Sequence, residues 1–114
     1  MTDCIFCKIA GKEIPADIVY EDQHLVVFKD VKPVAPLHLL LIPKKHYSSL
    51  LDLGEEDIEI VGRLKLTAVR MAREMGYAEK GFRVVCNCGR DGGQTVAHLH
   101  YHLLAGRALR WPPG

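Results

Sequence analysis

The chain has 114 residues, 48% hydrophobic and 25% charged, values ordinary for one globular domain spanning 1–114. Its 15 Lys and Arg nearly cancel 14 Asp and Glu, so no basic field marks a nucleic-acid partner and no acidic field marks disorder. No stretch reaches the ~18 consecutive apolar residues of a membrane helix, and the short apolar run after Asp3 lacks the long core of a signal peptide, so a cytoplasmic protein with no membrane partner is expected.

Residues 4–10, CIFCKIA, predict a short helix stopped by Gly11, with Pro15 opening the next segment. DIVYED and HLVVFKD read as two strands rich in Val, Tyr and Phe. LHLLLIP, Leu37 to Pro43, is almost continuously apolar, which predicts a central strand covered on both faces. From Asp52 to Met75 the period changes: Ile58, Val61, Leu64, Ala68, Met71, Ala72 and Met75 recur three or four apart, the stripe of an amphipathic helix ending at Gly76. At ~1.5 Å per residue that helix would run roughly 35 Å. GFRVVCN returns to strand, and NCGRDGGQT is a glycine-rich loop leading into HLHYHLLAG at 98–106. The fold class is therefore α+β, with about five mainly antiparallel strands, one long helix and one short helix.

Residues two apart share a face in a strand and oppose each other in a helix. His98, His100 and His102 alternate with Leu99, Tyr101 and Leu103, so the segment predicts a strand with one imidazole face and one core face. Three exposed surface histidines are the plainest alternative. A metal centre is another, but a rise of ~3.3 Å per residue separates His98 from His102 by roughly 13 Å at the backbone, too far for all three to meet one ion. At least one imidazole is left for other chemistry.

The preceding loop suggests what that chemistry is. Gly92 and Gly93 remove side chains where the chain enters the histidine segment, letting the amides of Gly93, Gln94 and Thr95 approach an anion. The Thr95 hydroxyl adds a donor, and Asn87 lies at the other lip of the loop. A glycine pair alone marks only a turn. Beside three histidines it describes a phosphate pocket with a nucleophile over it. His38, the one polar side chain in LHLLLI, reads either as part of that pocket or as a hydrogen-bonded core residue.

Four cysteines stand as C-x-x-C at Cys4 and Cys7 and C-x-C at Cys86 and Cys88. Without an export signal they read as reduced thiols or metal ligands. Cys4 and Cys7 have the spacing of half a tetrahedral zinc site, or are two buried thiols; Cys86 and Cys88 read as packing.

HLHYHLL resembles the signature of the histidine triad (HIT) family, His-φ-His-φ-His-φ-φ with φ apolar. CIFCKI, EIPADIVYED, FKDVKPVAPLHLLLIPKKH, NCGRDGGQT and WPPG resemble its Hint branch of histidine triad nucleotide-binding proteins, so the likeness covers nearly the whole chain as a single HIT domain. The resemblance implies an adenosine phosphoramidase that hydrolyses the P–N bond of a purine nucleoside phosphoramidate, such as AMP joined to an amine or a lysine side chain. His100 would be the nucleophile that becomes transiently nucleotidylated. His102, His38 and His98 would complete the catalytic set, with protonated His38 and His102 in the proton relay.

Asp30 matches the family aspartate that binds the ribose hydroxyls, and Val31, Phe28, Ile18 and Ile14 match positions lining the purine pocket. Asn87, Gly93, Gln94 and Thr95 would hold the phosphate. The resemblance also implies that no cofactor serves catalysis, that a structural zinc binds Cys4, Cys7, His46 and His98, and that a homodimer joins the sheets and brings Trp111 toward the partner's site. The alternative function is a nucleotide-binding regulatory or scaffold protein with little turnover. Thr95 stands where relatives often carry serine, Ala97 where an aromatic is common and Ala105 where a glycine is frequent, while Tyr101 is bulky for a φ position; these bear on rate and preference.

Overall fold

Seven apolar-rich residues, Leu37–Pro43, form the strand on which the molecule is built, and every one of them is buried. The structure, a computed structural model, describes residues 3–114. In chain order its elements are α1 (Ile5–Ala10), β1 (Ile18–Glu21), β2 (Leu25–Lys29), β3 (Leu37–Pro43), α2 (Ile58–Glu74), β4 (Phe82–Val85) and β5 (Tyr101–Ala105). The strands form one antiparallel sheet ordered β1-β2-β3-β5-β4. The α+β architecture expected from the sequence is the one observed.

The alternation of β3 assigns its side chains to two cores. Leu37, Leu39 and Leu41 join Leu64, Ala68, Met71 and Ala72 of α2 in the larger one. Leu40 and Ile42 point the other way, into a smaller cluster with Phe6 and Ile9 of α1 and Val26 and Phe28 of β2. A fully buried Leu or Ile is worth about 1.5–3 kcal/mol, so both faces of this strand hold the fold together. The small face carries the chemistry, because α1 covers only part of it.

Two elements differ from the sequence expectation. The long helix starts at Ile58 rather than near Asp52, preceded by single 3₁₀ turns at Leu50–Asp52 and Glu55–Asp57, so its 17 residues span only about 25 Å. Asp57 explains the break. Its carboxylate accepts the Gly54 amide at 2.9 Å and the Tyr47 hydroxyl at 2.8 Å, anchoring the chain to the end of β3 before the helix can begin. The second difference is at the histidines: regular strand begins at Tyr101, so His98 and His100 precede it. The ladder with β3 runs out at Leu41↔Tyr101, because Pro43 has no amide to continue it and the Leu99 amide donates instead to the Tyr47 carbonyl at 2.7 Å. The extended alternation nevertheless persists, with Leu99, Tyr101 and Leu103 in the larger core. Among the described residues, no helix is long and apolar enough to cross a membrane.

Candidate active site and metal centre

The short α1, the loop after it, β2, β3 and the histidine segment enclose a cavity of about 530 Å³. One end is apolar, walled by Ile5, Phe6 and Ile9 of α1 with Ile14, Phe28 and Leu40. The other end carries Asp30, Thr95, His100 and His102. Val31 forms the rim and is almost wholly exposed. The volume suits a small organic ligand with one greasy and one polar half.

Backbone groups assign the proton of each imidazole, since a carbonyl can only accept and an amide can only donate. His100 Nδ1 lies 2.7 Å from the His98 carbonyl and must donate to it, which leaves Nε2 as a bare lone pair. The ring lines the cavity while Phe6 packs edge-on against it, centroids 5.1 Å apart. His98 Nε2 lies 3.0 Å from the Pro43 carbonyl and donates there, so its Nδ1 is the bare nitrogen. His38 has the opposite arrangement: Nδ1 accepts the Val34 amide at 3.1 Å, which puts the proton on Nε2. That proton reaches His102 Nδ1 at 2.8 Å, with Asp30 Oδ2 3.3 Å away as second acceptor. His102 therefore keeps its own proton on Nε2.

Burial then sets the charge. It pulls His102 down to about 4, helped by His100 and His38 and opposed by Asp30. It lowers His38 as well, again against the Asp30 carboxylate. Both rings are neutral at neutral pH, so the ligand-free site holds N–H donors, not imidazolium ions, and any protonated form belongs to a ligand-bound state. Asp30 is itself braced, its Oδ1 accepting the Lys32 amide at 2.8 Å and its backbone amide donating to the His38 carbonyl at 3.0 Å.

The loop at 87–95 is shaped by its glycines. A side chain on Gly92 would meet the Cys88 carbonyl at 2.3 Å, and Gly93 sits at φ +82, a backbone conformation open mainly to glycine. Asn87 Nδ2 donates to the Gly92 carbonyl at 2.7 Å. Gln94 turns its amide inward, donating to the Ser48 and Val96 carbonyls and accepting from the Gly89 amide. These two side chains brace the loop. Gly93 and Gln94 line a shallower depression with Ser48 and Arg90, and Thr95 lines both spaces. Ile18 is outside the cavity lining and packs instead against the smaller core.

Across α1 from the cavity, Cys4, Cys7, His46 and His98 bring one ligand atom each within 4.8 Å of one another. His98 Nδ1 is 3.2 Å from Cys4 Sγ, 3.5 Å from Cys7 Sγ and 3.1 Å from His46 Nδ1, and Cys7 Sγ is 3.3 Å from His46 Nδ1. Bonds of ~2.0–2.3 Å in a tetrahedron separate nitrogen and sulfur donors by about 3.3–3.8 Å, so these residues fit a metal ion with shifts of a few tenths of an ångström. The bare Nδ1 of His98 fits as well, its other nitrogen anchored on a carbonyl in the manner of metal-bound imidazoles.

A second group, Asp30, His38 and His102, is equally close. It fails the same test. The His38 nitrogen facing the cluster carries the proton, and moving that proton to Nδ1 would oppose the Val34 amide. Cys86 and Cys88 are half-buried, and burial raises Cys86 to about 11, with Cys88 adding to the shift, which makes it an inert thiol. Sequence reasoning missed Val34 and Pro43, which act through backbone atoms, and Phe6, whose signal was an aromatic residue between two cysteines on a short helix.

A family model described as scavenger mRNA decapping enzyme C-term binding matches residues 3–109. An uncharacterized HIT-like protein of Synechococcus elongatus is 53% identical over 112 residues, covering 98% of this chain and 97% of that protein. The structure of a HIT family hydrolase from Legionella pneumophila superposes with a TM-score of 0.97 at 46% identity, covering 98% of this chain and all of that one (100%). A zinc-bound histidine triad family protein from Mycobacterium smegmatis superposes at 0.79 with 32% identity, over 92% of this chain and 76% of that one.

Proposed function

The chain belongs to the histidine triad family, and from that premise we propose that it is a Hint-type hydrolase of purine nucleoside phosphoramidates, releasing the nucleoside monophosphate and an amine. One observation carries the reading: the ring of His100, oriented by an Nδ1–H donated to the His98 carbonyl so that Nε2 is the nitrogen left for chemistry, lines a cavity that has an apolar end for a base and donors for a phosphate. A neutral, oriented imidazole is the nucleophile that attack on phosphorus requires.

The chemistry then follows from the protons. His100 Nε2 bonds to the α-phosphorus while the P–N bond breaks, and the resulting positive charge on the ring is shared with the His98 carbonyl through Nδ1–H. Thr95 and the Nε2–H of His102 donate to the phosphoryl oxygens; the amides of Gly93 and Gln94, expected from the sequence to do so, are already committed to the Arg90 and Gly89 carbonyls at 3.1 and 3.0 Å and hold the loop instead. The departing nitrogen needs one proton. An anionic substrate draws an extra proton to the His38–His102 pair, where Asp30 steadies it, and burial makes the pair release it readily. Water next attacks phosphorus, returns a proton to the pair, and frees His100 and the nucleotide. In this reading Asp30, which borders the cavity, also takes the ribose hydroxyls, and the apolar wall of α1 with Phe28 takes the purine.

Cys4, Cys7, His46 and His98 would hold a zinc ion, which would supply cross-linking and not catalysis, since the open cavity lies on the other side of α1. A homodimer is part of the same reading: the exposed Trp111 belongs to a terminal segment suited to a partner. Adenosine 5′-phosphoramidate is the assay substrate. Release of AMP and ammonia, with AMP trapped covalently on His100 at short times, is the expected result. Tight AMP binding with no turnover would replace hydrolysis by a regulatory role, and a nucleotide trapped on another side chain would remove the assignment.

A further inference from the structure

The metal centre and the apolar end of the cavity share one element. α1 is six residues long, far below the ~12–15 at which an isolated helix becomes even marginal in water, so tertiary attachments decide whether it exists. Its N-cap is Cys4, and Cys7 lies in its first turn. Between and beyond them Ile5, Phe6 and Ile9 form one wall of the cavity, with Phe6 touching Phe28, His98 and His100 edge-on. The phosphate end touches this assembly through Phe6 and the His98 carbonyl, which contact His100, but it also has attachments that need neither α1 nor a metal ion. His98 keeps its backbone in place through Pro43 and through the Leu99–Tyr47 bond, and the loop at 87–95 is braced by Asn87 and Gln94.

We propose that Cys4 and Cys7, by fastening α1 through a bound metal ion to His46 and His98, are positioning residues for the base of the nucleotide, so that metal occupancy governs affinity for the purine and leaves affinity for the phosphate nearly unchanged. The proposal rests on the nucleotide reading for the identity of the ligand but not for the behaviour of α1. A metal that merely stabilised the whole fold would weaken both ends together.

The experiment compares Zn²⁺-loaded protein with the Cys4→Ser variant and with parent protein stripped by a chelator. Binding of AMP and of ribose 5-phosphate, which lacks the base, is measured by calorimetry, and hydrogen exchange is followed at residues 5–10 and in β5. Metal loss is expected to weaken AMP by about tenfold or more while ribose 5-phosphate changes less than about twofold. Exchange in α1 should rise with β5 still protected. Equal AMP affinity with and without metal overturns the proposal, as does parallel weakening of both ligands with exposure of β5. Protein that takes up no Zn²⁺ overturns it outright. Should AMP bind neither form while α1 still responds to Zn²⁺, the fastening of α1 stands and the nucleotide reading falls.

Discussion

Among the described residues, two side-chain clusters each gather ligand-type atoms within 4.8 Å, one behind α1 and one beside the polar end of the cavity, and distance does not tell them apart. Proton placement does. Behind α1, His98 donates its only proton to Pro43 and turns a lone pair toward two thiols, the arrangement of a metal ligand. Beside the cavity, whose lining includes His102 and Asp30 but not His38, Val34 forces the His38 proton to face His102 and Asp30, the arrangement of a hydrogen-bonded chain. The lesson is that a cluster of histidines acquires its role from the backbone groups behind it.

The sharpest test falls on the residue that belongs to neither cluster but is oriented by one and faces the other. His100→Ala should lower phosphoramidate turnover by at least about 10³-fold, roughly 4 kcal/mol of lost transition-state stabilisation, with the metal content unchanged. Metal analysis comes next. Parent protein should carry one equivalent of zinc and Cys7→Ser close to none, with a loss of about 2–4 kcal/mol of stability in denaturant titrations at zinc excess. A second tightly held equivalent, removed by His38→Gln, would erase the distinction between the clusters.

His38→Gln should keep the zinc and cut turnover by about 10–100-fold, because the amide cannot carry a mobile proton between Asp30 and His102. The smallest effect concerns pH. The folded protein leaves His102 neutral down to about 4, against an ordinary value of 6.5, whereas the unfolded chain takes up the proton near 6.5. Acidification across that window therefore favours the unfolded state, and stability present above it is lost as pH falls. Urea titrations at pH 7 and pH 5 should differ by about 1–2 kcal/mol from this ring after allowance for its partial exposure, and His102→Gln should reduce the difference.

Much of the fold was legible in the chain because its signals are local. The period of two in LHLLLIP and the period of three to four after Ile58 follow from strand and helix geometry, and both elements are present. The start of the long helix was not legible, since the Asp57 carboxylate engages Tyr47, ten residues away. The strand expected at His98 begins only at Tyr101 for a related reason: its would-be partner strand ends in a proline. Of the candidate site residues, Asp30, Thr95, His100 and His102 converge on one cavity with Val31 at its rim, whereas Ile18 packs into the smaller core and Gln94 braces its own loop.

The amino-acid order by itself determined which residue types were on hand: alternating imidazoles, a glycine-shaped loop before them, two cysteines on a helix too short to stand alone. It also determined that the three imidazoles would share one side of their segment, since alternation along an extended backbone is set by its geometry. Only the tertiary structure decided which nitrogen of each ring holds its proton, and so which ring can offer a lone pair to a metal ion, which turns one toward the cavity and which stands in a hydrogen-bonded chain. The partners that decide it, the Pro43 carbonyl for His98 and the Val34 amide for His38 among them, are main-chain groups. Every residue supplies such groups, and only the folded path of the chain brings particular ones within hydrogen-bonding reach of a given ring.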